Sequence, residues 1–492
     1  MDKKIDKTKK TEQHRWQYLP LTPEDIKNIH DTSMQVLEDV GVEVQLPEAF
    51  KLFKKAGASV DSETGIVKFK ESLLMDIISS APSEITLYSR NEHDNLTLGA
   101  GNVYFGTGGT ALNVLDFASG KQRPSNMKDL IDIIRLVDNL ENIHLMLLST
   151  YPNELPVKDV DINRFIAGMC FTSKHIMGGI YTSKGIDDVI SAAEKIAGSA
   201  EALRKKPFIS MIACGISPLR LDTKYGKFMI KLAKKSIPTA VPVEPLCGAT
   251  APVTLAGALV IQNCDGLFNI ALTQLANPGA PVIYGSVATS VNLYDVGYLG
   301  GPVESGMINA ATSQLARYYK LPFYSTAGIS DSKTLDTQCG YETAINNLLV
   351  ALAGGDFIHD AAGLMEFATT VSKEKLVMDN EILGMVLRAV KGIQVNEKTL
   401  AFDTIRNAGP GGSFIAERHT RRFMYKEHFF TKLSDRDSRK NWIEKGSRTT
   451  AQKAHEIVKK ILSDKKNFYL KENVIKELID SFPHMKAEHF LQ

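Results

Sequence analysis

Short apolar, β-rich runs recur about every 30–40 residues along the chain, and a stretch with helical spacing of its apolar residues follows most of them. The runs are residues 144–152, 175–182, 208–218, 238–250, 281–291, 321–333, 357–366 and 402–414. The stretches after the first seven are 161–172, 186–197, 223–235, 252–277, 302–320, 335–354 and 378–395. The period of the pattern changes from about 2 in the runs to about 3.6 between them. Eight strand–helix units predict an α/β fold, a (β/α)8 TIM barrel. Such a barrel carries its chemistry at the C-terminal ends of the strands and in the loops that follow.

The pattern divides the chain into four stretches. Residues 1–20 form a flexible polar tail, and 21–142 form an N-terminal α+β region. Residues 143–415 are the barrel, and 416–492 are a C-terminal helical extension. In the second stretch Thr22-Pro23-Glu24-Asp25 predicts a helix start, with Thr22 as N-cap and Pro23 in the first turn. Ile29, Met34, Val36 and Leu37 continue that helix to Gly41, which ends it. Residues 103–117 read as strand–turn–strand around Gly106-Thr107-Gly108-Gly109, and 116–121 as a hairpin turn. In the extension, Ile457, Val458 and Leu462 recur at helical spacing, as do Val474, Ile475, Leu478 and Ile479. They predict helices that brace the barrel or form a contact between copies of a homo-oligomer.

Composition narrows the function. The chain has 492 residues, 43% hydrophobic and 23% charged, with a formal net charge of +2. It is long enough for a barrel of about 250 residues with large additions, and it has no basic excess that would favour nucleic acid. The most apolar stretch, 251–261, is interrupted by Pro252 and Gly257 and reads as a buried barrel helix; no run reaches the roughly 20 apolar residues of a membrane span. Residues 1–13 are Lys-, Asp-, Thr- and Glu-rich and predict a solvated tail, not a secretory signal. Cys170, Cys214, Cys247, Cys264 and Cys339 form no C-x-x-C pair and show no zinc spacing, which predicts reduced thiols in a cytoplasmic protein and no metal site.

Candidate chemistry sits at the strand ends. Glu244, in Pro242-Val243-Glu244-Pro245, is a carboxylate inside an apolar strand, where acids are rare unless paired or functional. His359 shares its strand with Asp360 and Glu366. The run 321–333 ends in Gly328-Ile329-Ser330-Asp331-Ser332-Lys333, polar residues aimed at the barrel mouth; Lys333 raises a Schiff-base lyase or aldolase as an alternative chemistry. Gly409-Pro410-Gly411-Gly412 follows the last run, where barrels often hold anions. Gly106-Thr107-Gly108-Gly109 serves either a tight turn or an anion. Tyr151, Tyr181, Phe357, Tyr294 and Tyr298 are packing residues singly and, around one mouth, a cage for a quaternary ammonium. The basic run 417–422 is either an exposed helix face or a contact for an anion or a partner.

One ordered series carries a resemblance. Gly328-Ile329-Ser330-Asp331-Ser332-Lys333 continues to Asp336, Gln338, Gly340 and Glu342, then Gly363-Leu364-Met365-Glu366. Glu374-Lys375-Leu376-Val377-Met378-Asp379-Asn380-Glu381-Ile382, Gly409-Pro410-Gly411-Gly412, His419-Thr420, and Asp435-Arg436 to Trp442 complete it. The series resembles the trimethylamine methyltransferase superfamily, from about residue 20 to 462. The resemblance implies a (β/α)8 barrel that passes a methyl group from an amine to the cobalt of a corrinoid (cobalamin) carried by a separate partner protein, in anaerobic one-carbon metabolism. Trimethylamine enzymes of the superfamily carry pyrrolysine at the end of the strand matching 357–366. This chain has ordinary residues there, which makes it similar to the non-pyrrolysine branch. Members of that branch use quaternary amines: glycine betaine, proline betaine and carnitine. Glycine betaine is the first expected substrate. Tyr181, Phe357 and Glu244 are expected to hold the cation, His359 and Glu366 to orient substrate or leaving nitrogen, and Asp331 and Gly411 to line the mouth. A non-catalytic amine sensor is the remaining alternative.

Overall fold

The computed structural model describes residues 17–464 and 468–491, so most of the expected polar tail lies outside the described residues. Eight parallel strands form one sheet: β1 Tyr104–Thr107, β2 Met146–Leu147, β3 Ile176–Gly179, β4 Ile209–Ile212, β5 Thr239–Val243, β6 Val282–Ser286, β7 Phe323–Thr326 and β8 Phe357–Ala362. β8 pairs with β1, Phe357 opposite Tyr104, and a parallel bridge from Gly106 to Leu145 joins β1 to the start of β2. The sheet therefore closes on itself as the TIM barrel expected. Each strand is followed by its helix: α1 Met127–Asp138, α2 Val157–Phe171, α3 Ser183–Ala197, α4 Thr223–Lys235, α5 Leu255–Ala276, α6 Val303–Tyr318, α7 Thr337–Ala353 and α8 Lys373–Val390.

Seven of the eight predicted runs contain the barrel strands β2–β8. The eighth does not: Phe402–Ala408 is a helix, its turns joined by the Asp403–Arg406 ion pair at 2.8 Å. Apolar Phe402 and Ile405 three residues apart are helical spacing, and both are exposed. The true remaining strand is β1, inside the segment assigned to the N-terminal region, so the barrel strands span 104–362 and not 143–415. Glycines hid it. A Cβ on Gly106 would come within 2.7 Å of the Phe357 ring, and one on Gly108 within 2.3 Å of Leu364. β1 closes the barrel by bringing bare backbone against side chains of β8 and its following loop.

The other elements cover the barrel. Helix Pro23–Asp39 starts as predicted: the Asp25 N–H donates to Thr22 Oγ1 (3.1 Å), and the Thr22 N–H donates to the Asp25 carboxylate (2.9 Å). Its buried Ile29, Met34 and Leu37 belong to the main core, and the helix packs against α5. Hairpin Ile85–Leu87/Leu96–Leu98 plugs the N-terminal end of the barrel, where Ile85, Leu87, Leu96 and Leu98 cluster with Leu145, Leu147, Met177, Ala240, Ile283, Tyr324 and Phe357. Helix α5 is long and apolar enough to cross a membrane, but it is mostly buried in the protein. Two of its buried amides donate inward: Gln262 to Gly285 O (2.8 Å), and Asn263 to the Tyr319 hydroxyl (2.8 Å). Helix Thr450–Ser463 braces α1 and α8 through buried Ala454 and Val458, and Glu472–Ser481 buries Ile475 and Leu478.

One buried ion pair fastens the mouth. Lys375 Nζ on α8 lies 2.6 Å from Asp379 and donates to Thr343 Oγ1 on α7 (2.7 Å) and to Gly328 O after β7 (3.3 Å). Asp379 in turn accepts from the Gly363 N–H after β8 (2.8 Å). Removing one partner strands a buried charge, the costly case for such pairs. Asp379→Ala is expected to lower stability by about 3–5 kcal/mol, measured by equilibrium urea unfolding; a loss under about 1 kcal/mol would show that the pair is relieved by solvent.

Candidate active site

At the C-terminal end of the barrel lies a cavity of about 340 Å³. Ile212 and Cys214 line it from β4, Pro242 and Glu244 from β5, Val287 from β6, and Tyr324 and Ile329 from β7 and its loop. His359 and Asp360 line it from β8. Gly109, Tyr298, Phe367 and Ala368 come from loops. The sequence pattern placed the site at this end, and these side chains sit there.

β8 supplies two consecutive polar residues to one face, which a regular strand does not do. The register between β8 and β1 shifts between Ile358 and Ala362, and Asp360 takes a left-handed backbone, φ +57°. This bulge turns Asp360 inward beside His359. The Asp360 carboxylate then ties the mouth together. It accepts from the Gly109 N–H (3.2 Å) and the Thr326 hydroxyl (2.9 Å), and lies 2.7 Å from His359 Nε2. The His359 ring stacks on Tyr324, with centroids 4.6 Å apart and planes 21° apart. Its Nδ1 is buried and has no partner among the described residues. With Nε2 turned to Asp360, Nδ1 is the ring atom left to meet a ligand.

Glu244 shares this field. Burial, and then the charge of Asp360, push its carboxyl up to about 7, while His359 acts in the opposite sense. Burial, with Glu244, Asp360 and Asp331, holds the Tyr298 phenol well above its ordinary value, so it stays neutral. Burial likewise pushes the Cys214 thiol up to about 12, so it is no thiolate nucleophile. The cavity is thus an apolar and aromatic chamber with two acidic groups.

Of the expected site residues, the structure brings His359 and Glu244 together in the cavity. Phe357 lies one layer deeper, fully buried, its ring 5.4 Å from that of Tyr324. It is a floor beneath the lining, because inward positions alternate along β8. Tyr181 is outside the cavity lining, edge-on to Tyr151 at 5.2 Å with the Arg164 guanidinium 5.5 Å from its ring. Glu366 stands in the hairpin after β8, where Gln122 donates to it (3.1 Å); its neighbours Phe367 and Ala368 line the cavity instead. Glu366, Phe367 and Ala368 all have left-handed backbones, φ +50° to +64°, so the hairpin turn redirects the chain between them. Asp331 accepts from the Gly300 (2.8 Å) and Gly301 (3.1 Å) N–H groups, anchoring the loop that carries Tyr298. Gly411 lies in an exposed turn after helix Phe402–Ala408 and does not line the cavity, because the strand expected before it is that helix.

Lys333 is exposed; it donates to Asp331 O (2.8 Å), with its ammonium 4.1 Å from the Phe367 ring centroid. A solvated, engaged ammonium lacks the desolvation that makes a lysine nucleophilic. Of the proposed cage aromatics, Tyr298 alone lines the cavity, and Tyr294 is fully exposed on the same loop. Tyr324, Asp360 and Phe367 complete the lining and were not singled out from sequence as site residues. Alternation along β7 offered a signal for Tyr324, whereas nothing in the local pattern announces the bulge that recruits Asp360.

Comparison with known proteins decides the family. The family model described as trimethylamine methyltransferase (MTTB) matches residues 2–489. The chain belongs to the trimethylamine methyltransferase family. It is 34% identical over 441 residues to the trimethylamine methyltransferase MttB of Desulfitobacterium hafniense (strain DSM 10664 / DCB-2), covering 90% of this chain and 88% of that protein. It is 30% identical over 450 residues to the glycine betaine methyltransferase of Desulfitobacterium hafniense (strain Y51), covering 91% and 93%. The solved monomethylamine methyltransferase (MtmB) of Methanosarcina barkeri aligns with 93% of this chain and 92% of its own at 12% identity, with a TM-score of 0.45. This family member is a methyltransferase, and its active-site candidates are the residues of the mouth cavity.

Glu244 generates a pH prediction. Its folded value, about 7, lies above the ordinary 4.5, so its contribution to stability is fully present below pH 4.5 and lost as pH rises through about 7. Glu244→Gln cannot ionise. It is expected to leave stability near wild type at pH 5 and to raise it by about 1–3 kcal/mol at pH 8. Urea unfolding of both proteins at the two pH values checks this; an equal difference at both would refute it.

Proposed function

We propose that this chain transfers a methyl group from a small quaternary amine, the class to which glycine betaine belongs, to the cobalt(I) of a corrinoid carried by a partner protein. The observation that carries the proposal is the pair of acidic side chains, half-buried Glu244 and buried Asp360, in an aromatic-lined cavity at the catalytic end of the barrel. The family provides the reaction class, and a relative named glycine betaine methyltransferase supports the substrate class.

The chemistry suits such a chamber. A quaternary nitrogen is already cationic. Cobalt(I) attacks a methyl carbon in line with the C–N bond; the C–Co bond forms, and the C–N electron pair stays with nitrogen. The amine leaves as a neutral tertiary amine, and cobalt becomes methyl-cobalt(III). No acid is needed to protonate the leaving group. The carboxylates and the aromatic lining hold the cation with one methyl toward the mouth. Because positive charge leaves the nitrogen during transfer, a field that only tightened ground-state binding would not raise the rate. The Asp360–His359–Tyr324 assembly is accordingly assigned to placement.

The test is an anaerobic absorbance assay with the reduced corrinoid partner and a panel of quaternary amines, following cobalt(I) to methyl-cobalt(III). Transfer from at least one amine is expected, and Asp360→Asn is expected to lower kcat/KM by about 10–100-fold. No transfer from any amine, with a corrinoid protein shown to accept methyl groups from another donor, would overturn the proposal.

A further inference from the structure

We infer that the amine taken by this cavity carries no carboxylate: a quaternary ammonium of the choline or tetramethylammonium kind fits it, and a betaine does not. The inference rests on the quaternary-amine reading above and narrows it.

The argument is one of charge. Both carboxyl groups of the lining, Glu244 and Asp360, would oppose a second carboxylate; no Lys or Arg lines the cavity among the described residues, and the lining imidazole, His359, is held against Asp360 at 2.7 Å. In a betaine the carboxylate is tethered to the ammonium through a short carbon chain. Seating the ammonium between the two acids therefore brings the anion close to them, in a site where water screens poorly. The cation at the rim does not relieve this. Lys333 is outside the lining, its ammonium against the Phe367 ring and hydrogen-bonded to Asp331 O. Three backbone donors near the mouth are committed: the Gly109 N–H to Asp360, and those of Gly300 and Gly301 to Asp331.

The unpartnered polar atom points the same way. His359, with Nε2 toward Asp360, leaves Nδ1 buried and without a partner among the described residues. A hydroxyl group can pair with Nδ1 in either protonation state of the ring, whereas a carboxylate can pair only with a protonated one. Choline joins a cationic head to such a hydroxyl and is the probe of choice.

Calorimetric titration of the full chain at pH 8 with choline, tetramethylammonium, glycine betaine and carnitine needs no corrinoid. Choline is expected to bind at least tenfold more tightly than glycine betaine, and Glu244→Gln to shrink that ratio by weakening choline. Glycine betaine or carnitine binding as tightly as choline would overturn the inference, as would absence of binding by all four. The corrinoid assay separates this from the function itself. Equal kcat/KM for glycine betaine and choline would overturn the charge selection and leave the methyltransferase reaction standing. Selective choline binding without methyl transfer from any amine would overturn the quaternary-amine reaction, while the charge selection stands on the binding data.

Discussion

The site depends on one carboxylate. Asp360 is buried at the seam where the last strand of the barrel meets the first, and its two oxygens reach a backbone N–H after β1, a hydroxyl on β7 and the imidazole beside it. A buried carboxylate without such partners would be very costly. With them, it fixes the ring of His359, keeps the bulge closed and aligns three strand ends. Its backbone must be left-handed to do so, a conformation that side chains rarely adopt. Strain concentrated at a chemically busy position, and tolerated because the surroundings hold it there, is a common property of functional sites.

The second acid makes the chamber responsive. Burial, and then the charge of Asp360, resist ionisation of Glu244. A cation placed beside Glu244 would offset both effects and favour its ionised form. The ion pair Lys375–Asp379 keeps this arrangement from relaxing, since it ties the loops after β7 and β8 to α7 and α8.

Much of this was legible in the amino-acid pattern, and the omissions have physical reasons. Strands β2–β8 announced themselves as apolar runs because they are buried on both faces. β1 did not, since Tyr104-Phe105-Gly106-Thr107 spends one of its few positions on a glycine that must stay bare for the Phe357 ring to pack. Phe402 and Ile405 looked like strand residues and belong to a helix whose spacing was short enough to mistake. In the site, Glu244 stood out as an acid among apolar neighbours, and His359 as a strand-end imidazole. Asp360 was visible only as their companion, because alternation would point it outward and only the three-dimensional bulge brings it in. Glu366 missed the cavity for the converse reason: the left-handed turn presents Phe367 and Ala368 in its place. Asp331 acts at one remove, through the loop that holds Tyr298.

Closure of the barrel has a consequence for how the molecule comes into being. β1 and β8 are about 250 residues apart in the chain, yet each is the other's neighbour. During synthesis the first strand therefore waits, its edge unpaired, until nearly three-quarters of the polypeptide has emerged. Loop-closure entropy opposes the pairing, and no local contact substitutes for it. The groups that meet at that seam, the Gly109 amide and the Asp360 carboxylate, are also those that shape the cavity. The chamber thus exists only where these two distant ends of the barrel have met.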